Sequence, residues 1–208
     1  LPTPWVKRFR SLGGGGGEGE GEGEGEPHVV FQGEGGSLPT ANYAVAPGSA
    51  WISKQWSASK FLELIEKLGG VPCVLGRKNE PAAAELIELL RKRGKAWVDE
   101  TGGSLERVVA RLRSVPFLVS PDSGLAHLAE SVGTPAFVIY GPTTPELGFG
   151  VRNPASLAIG RKLACRPCSK TGRACYRFWD RYACLKGLDA SEVYRQIQQK
   201  RFEAKVEC

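Results

Sequence analysis

Residues 117–140 constrain the fold more than any other stretch of the chain. An apolar run at 117–119 reads as a buried strand, and Pro121 ends it. Asp122-Ser123-Gly124 then forms a polar turn. A helical pattern follows, with Leu125, Leu128, Ala129 and Val132 on one face. Gly133 stops that pattern, and residues 135–140 supply a second buried strand. The result is a βαβ unit with a small polar turn at the carboxyl end of its first strand. In open α/β sheets ligands collect at that end. The helix start there offers free backbone N–H groups and the positive end of a dipole. Asp-Ser-Gly at this place reads as a cradle for an anion or a sugar nucleotide.

The same rhythm begins upstream. Residues 43–46 read as a strand, and Phe61, Leu62, Leu64, Ile65 and Leu68 make a helical face that Gly69-Gly70 stops. A strand at 71–75 follows, then a helix at 82–90 with Leu86, Leu89 and Leu90 inward. A short strand at 96–98 precedes a helix at 104–112 with Leu105, Val108, Val109 and Leu112 inward. Beyond the 117–140 unit, residues 156–159 supply one more strand. A last helix starts near Ala190, where Asp189 and Glu192 fit a capping box. Apolar strands alternating with helices imply an α/β fold, a Rossmann-like parallel sheet with helices on both faces.

Residues 13–26 are different in kind: five glycines, then alternating Glu and Gly. Such a run has no apolar surface to bury and loses much backbone entropy on ordering, so a flexible, disordered linker is expected. Residues 27–32, Pro-His-Val-Val-Phe-Gln, suggest a short extended or helical remnant. The chain begins at Leu1 and contains no Met, which suggests a fragment or a processed chain. No apolar run reaches the 18 or so residues of a membrane span, and no signal peptide is visible.

Three turns fall at the carboxyl ends of predicted strands. At 46–56, Gly48 and Ser49 let the backbone approach a phosphate, Lys54 can neutralise one, and Ser49 and Ser53 offer hydroxyls. The ordinary alternative is a strand–helix loop with a surface lysine. At 75–80, Glu80 can accept hydrogen bonds from sugar hydroxyls, or it simply answers the dipole of the helix that follows. In the third turn His127 stands three residues past Gly124, close enough to point back at Asp122 and Ser123.

The net charge is +6, and it is concentrated late: residues 151–208 carry 13 Lys/Arg against 5 Asp/Glu. A basic surface of this size suits phosphorylated partners or an anionic membrane, or is simply solvated. No nucleic-acid module is evident, and no nucleic acid is expected as a partner. Cys73 lies in an apolar run and reads as a buried small hydrophobe. Cys165, Cys168, Cys175 and Cys184 support two readings. They ligate a structural zinc, or they are free or paired cysteines of a long loop, with a reducing compartment disfavouring disulfides. Arg166, Lys170, Arg173, Arg177 and Arg181 interleave with these cysteines and with Phe178, Trp179 and Tyr182. That mixture suits an anionic lipid or a membrane surface.

Taken together, Pro-Gly-Ser-Ala-Trp…Ser-Lys-Gln-Trp (47–56), Asp-Ser-Gly-Leu-Ala-His-Leu-Ala (122–129) and Gly-Thr-Pro…Tyr-Gly-Pro-Thr-Thr-Pro-Glu (133–146) closely resemble the bacterial lipopolysaccharide heptosyltransferases of glycosyltransferase family 9. The resemblance covers roughly residues 41–205, including the Cys-Arg-Pro-Cys segment. It implies one half of a two-domain GT-B glycosyltransferase, the carboxyl-terminal half that binds the nucleotide-sugar donor. Residues 1–40 would then be a remnant and linker. Residues 41–208 would be the nucleotide-sugar-binding domain, with a Cys-rich basic loop at 160–186.

The implied reaction moves heptose from ADP-heptose to the inner core of lipopolysaccharide, with inversion. It requires no cofactor. By the family motif, Ser49 and Lys54 would meet the donor phosphates, with Lys54 stabilising the leaving group, and Ser53 is a further donor-site candidate. Glu80 would meet the nucleoside, and Asp122, Ser123 and Gly124 the diphosphate or heptose, supported by His127. The family's catalytic base belongs to the amino-terminal half, so this chain alone is expected to bind donor and transfer little sugar. The implied setting is cytoplasmic, with peripheral contact at the inner membrane. Two other readings remain open: a non-catalytic nucleotide-sugar-binding module, and a zinc-containing basic module that binds nucleic acid.

Overall fold

The computed structural model describes residues 38–206, so the Gly/Glu run and the 27–32 segment lie outside the described residues. Within them, six strands form one parallel sheet: β1 Tyr43–Val45, β2 Pro72–Gly76, β3 Val98–Thr101, β4 Leu118–Pro121, β5 Ala136–Ile139 and β6 Leu157–Ile159. Their spatial order is β3-β2-β1-β4-β5-β6. The helices are α1 Ala58–Leu68, α2 Pro81–Lys92, α3 Leu105–Ser114, α4 Gly124–Ser131, the short α5 Ala183–Lys186 and α6 Ala190–Val206. Single 3-10 turns stand at Ile52–Lys54 and Pro145–Leu147.

Strand side chains alternate between two buried faces, as the period of two requires. Tyr43, Val45, Val74, Val119, Phe137 and Ile139 meet α1, α2 and α6 through Phe61, Leu64, Leu86, Leu90, Val193 and Ile197. Ala44, Cys73, Leu75, Leu118, Ala136 and Val138 face the other way, against Val108 and Leu112 of α3 and Ala126 and Ala129 of α4. Helices therefore cover both faces, as the near-continuous apolar strands demand. Cys73 is fully buried, and that burial pushes its thiol up to about 12.

Three local expectations are corrected. Leu105 is not inward but 51% exposed, because it occupies the first turn of α3, ahead of the stretch that meets the sheet. Val108, Val109 and Leu112 are buried as expected, and Arg111 is buried with them against Glu100, Nη2 to Oε1 at 2.7 Å. In α4 the fully buried contacts are Ala126 and Ala129, while Leu125 and Leu128 are half-buried at the flanks. Finally, β3 begins at Val98, two residues later than the run at 96–98 suggested.

Candidate functional site

The strand order reverses between β1 and β4. That is the switch point of a doubly wound sheet, where the two crossovers diverge and leave a crevice at the carboxyl ends. The loop after β1 carries Ser49 and Lys54, and the loop after β4 carries Asp122 and Ser123. The two loops meet there: Ser49 Oγ donates to the Asp122 carbonyl at 3.3 Å.

Asp122 is the hub. Its side chain is 5% exposed, and Lys54 Nζ donates to its Oδ2 at 2.7 Å. Thr143 Oγ1, fully buried, donates to the same oxygen at 2.7 Å. His127 Nε2 stands 3.9 Å from the other oxygen, Oδ1. Burial holds the His127 imidazole below its ordinary pKa, although the Asp122 carboxylate beside it pulls the other way. The half-buried ring is therefore mainly neutral at pH 7. Ser123 Oγ pairs with Ser120 Oγ at 2.8 Å. Gly124 opens α4 with no heavy atom within 4 Å of where a Cβ would lie, so the helix start faces open space.

Glu80 precedes α2, whose N1 residue is Pro81, and is 8% exposed. Its carboxylate accepts from the Arg77 backbone N–H at 3.1 Å and rests against Gly48, where any Cβ would collide with it. Glycine at 48 thus lets the acid of one loop lie over the backbone of the other. Glu80, Ser49, Lys54, Asp122, Ser123, Gly124 and His127 all occupy the carboxyl edge of the sheet. Ser53 is placed differently: it is buried and gives its hydroxyl proton to the Gly172 carbonyl.

Sequence reasoning gave Thr143 no role. It stood in the quoted Pro-Thr-Thr-Pro run, but its partner lies 21 residues away and is reached only because β5 lies beside β4. The long segment after β6 also braces the rim. Arg166 Nη2 donates to the carbonyls of Tyr140 at 3.1 Å and Thr143 at 2.8 Å. The Cys168 N–H donates to the Pro142 carbonyl at 2.8 Å. Beside Arg166, a hollow of about 760 Å³ is lined by Glu146, Lys162 and Arg166 among others.

The zinc reading of the four cysteines does not find its geometry. Among the described residues no three His, Cys, Asp or Glu side chains are arranged to hold a metal ion. Cys168 Sγ instead donates to the Cys165 carbonyl at 3.2 Å, and Cys175 Sγ accepts the Tyr182 N–H at 3.2 Å. Cys165, Cys168, Cys175 and Cys184 are free, and burial raises the Cys168 and Cys184 thiols. Among the described residues, no helix is long and apolar enough to cross a membrane.

Known proteins resemble this chain in sequence and in fold. The chain is 40% identical over 138 residues to lipopolysaccharide heptosyltransferase 1 of Escherichia coli O18:K1:H7, covering 62% of this chain and 41% of that protein. It is 30% identical over 100 residues to lipopolysaccharide heptosyltransferase 2 of Salmonella typhimurium, covering 45% and 29%. The chain thus spans well under half the length of these curated relatives.

Among solved structures, E. coli heptosyltransferase WaaC with ADP matches at a TM-score of 0.59 and 26% identity, over 78% of this chain and 46% of that one. The iron-containing dodecameric glycosyltransferase TibC from enterotoxigenic E. coli matches at a TM-score of 0.64 and 18% identity, over 85% and 49%. That second likeness is one of fold. Residues 26–176 match glycosyltransferase family 9 (heptosyltransferase), and on that match the chain belongs to this family.

Proposed function

We propose that this chain is the donor-binding half of a heptosyltransferase and holds ADP-heptose at the β1/β4 crevice. The observation that carries the reading is the Lys54–Asp122–Thr143 cluster beside the open start of α4. A cation and free helix-start amides sit together where a diphosphate needs both. On this reading Lys54 and the amides from Gly124 onward take the diphosphate, whose charge grows as the sugar–phosphate bond breaks. Donors fixed in advance at that place stabilise the transition state. Ser49 and Ser123 supply hydroxyls, Glu80 accepts from the nucleoside sugar, and His127 supports Asp122. Ser53, being tied to Gly172, acts by holding the turn that carries Lys54. Transfer goes to a hydroxyl of the anionic lipopolysaccharide core with inversion, and its base comes from the acceptor side. The setting is the cytoplasm, at the face of the inner membrane.

Calorimetric titration with ADP, ADP-heptose and a UDP-sugar tests the reading. ADP and ADP-heptose are expected to bind, with Lys54→Ala weakening both by about tenfold or more, the scale of a charge-assisted contact. Asp122→Ala is expected to lower the affinity for ADP-heptose relative to that for ADP. Failure of every nucleotide to bind, by a chain that melts cooperatively, overturns the donor assignment.

A further inference from the structure

The described residues carry six exposed large hydrophobic side chains, and they are not spread evenly. Leu105 on α3 and Phe202 on α6 stand singly, as scattered apolar residues do on any surface. Tyr176, Phe178 and Trp179 fall within four residues of one another and are 74%, 82% and 94% exposed. Phe178 and Trp179 touch edge to face, with ring centroids 5.3 Å apart. Ile52, 79% exposed, lies on the turn to which this loop is fastened through Ser53 and Gly172. Arg173 of the same loop lies over the Trp51 ring at 4.3 Å.

The charge around these rings has one sign. Residues 161–186 hold eight Lys/Arg and a single acid, Asp180. Asp180 pairs with Arg177 at 3.7 Å, and Arg181 lies over the Tyr182 ring at 5.5 Å. Indole and phenyl rings favour the boundary between headgroups and acyl chains. Arginines beside them gain from negative headgroups at the same depth. A protein partner would need a matching pocket for each projecting ring, whereas a bilayer receives them with no preformed shape.

We propose that the 173–182 loop docks the chain on an anionic phospholipid surface, with Phe178 and Trp179 inserted and Arg173, Arg177 and Arg181 on the headgroups. This stands independently of the donor assignment. It also has a geometric corollary. The base of the same loop is bonded to the rim of the crevice through Arg166 and Cys168. Docking therefore holds that rim close to the membrane plane, where a lipid-borne acceptor would be found.

The test uses the 208-residue chain and vesicles of phosphatidylglycerol with phosphatidylethanolamine, against vesicles of phosphatidylcholine alone. Sedimentation with the anionic vesicles is expected, together with a blue shift of tryptophan emission and loss of binding in high salt. The pairs Phe178→Ala with Trp179→Ala, and Arg177→Gln with Arg181→Gln, are each expected to lower partitioning about tenfold. Trp179→Phe keeps a ring and is expected to keep most of the binding while abolishing the blue shift. All variants should melt with the unaltered chain, because the replaced groups are exposed. Equal partitioning of the variants, equal binding to neutral vesicles, or no partitioning at all overturns the proposal.

Discussion

At Gly124 the fold asks nothing of the side chain: a Cβ would meet no heavy atom within 4 Å, and the backbone is outside the left-handed region. Gly124→Val should therefore move the melting midpoint by no more than about 2 °C, the effect of a neutral surface change. The isopropyl group fills the open space at the start of α4, so ADP affinity should fall by at least about tenfold, read by calorimetry. A valine variant that binds ADP normally would remove this turn from the donor site.

His127 makes a pH prediction. Its folded pKa lies below the ordinary 6.5 because burial disfavours the charged ring. The unfolded chain therefore binds the proton first, and stability present above about 6.5 falls as pH drops towards the folded value. Thermal midpoints measured from pH 7.5 to 5 should fall more steeply for the unaltered chain than for His127→Gln. His127 was legible because it follows Gly124 by three positions and helical side chains lean towards the preceding turn. Ser53 was not, since Gly172 lies 119 residues away in the sequence.

Among the elements, α3 holds its place by an unusual device. Arg111 is 1% exposed and Glu100 of β3 is 3% exposed, and the guanidinium grips Oε1 through Nε at 3.3 Å and Nη2 at 2.7 Å. Arg107 binds the other oxygen at 3.1 Å, and Arg111 Nη1 reaches the Pro39 carbonyl at 2.7 Å. Removing the acid leaves a buried charge without its counterion. Glu100→Ala should cost about 3–5 kcal/mol in urea unfolding, and Glu100→Leu with Arg111→Met should recover most of it. Apolar periodicity could not show this pair, because it counts both residues as surface. The same periodicity located the strands and helices well, since burial on both faces leaves a plain apolar signal. Its errors fall where that signal is weakest. Leu105 begins a helix ahead of the packed face, and Ala126 and Ala129 are small enough for the sheet to approach where larger leucines flank it.

For the whole molecule the order β3-β2-β1-β4-β5-β6 contains one reversal, hence one crevice among the described residues. ADP should therefore bind with a stoichiometry of one per chain, and a second calorimetric site of similar affinity would contradict the single-crevice reading. The sheet order itself was out of reach of the sequence. A βαβ pattern shows that strands are parallel but not on which side each next strand is laid. What the sequence did carry was the local chemistry of each turn, and the fold supplies the one place where Ser49, Glu80 and Asp122 become neighbours.

The Lys54–Asp122 pair has a consequence for how such a crevice would turn over. Its ammonium is already matched by a carboxylate at 2.7 Å, so on the proposed donor role an incoming diphosphate would trade places with an internal anion rather than meet a bare charge. Thr143 also donates to Asp122 Oδ2 and would keep it hydrogen-bonded with the lysine turned away. On nucleotide departure the carboxylate would take the lysine back. On the proposed donor role, the affinity would be the difference between two ion pairs, which would limit how tightly a spent nucleotide clings and would let the crevice reset.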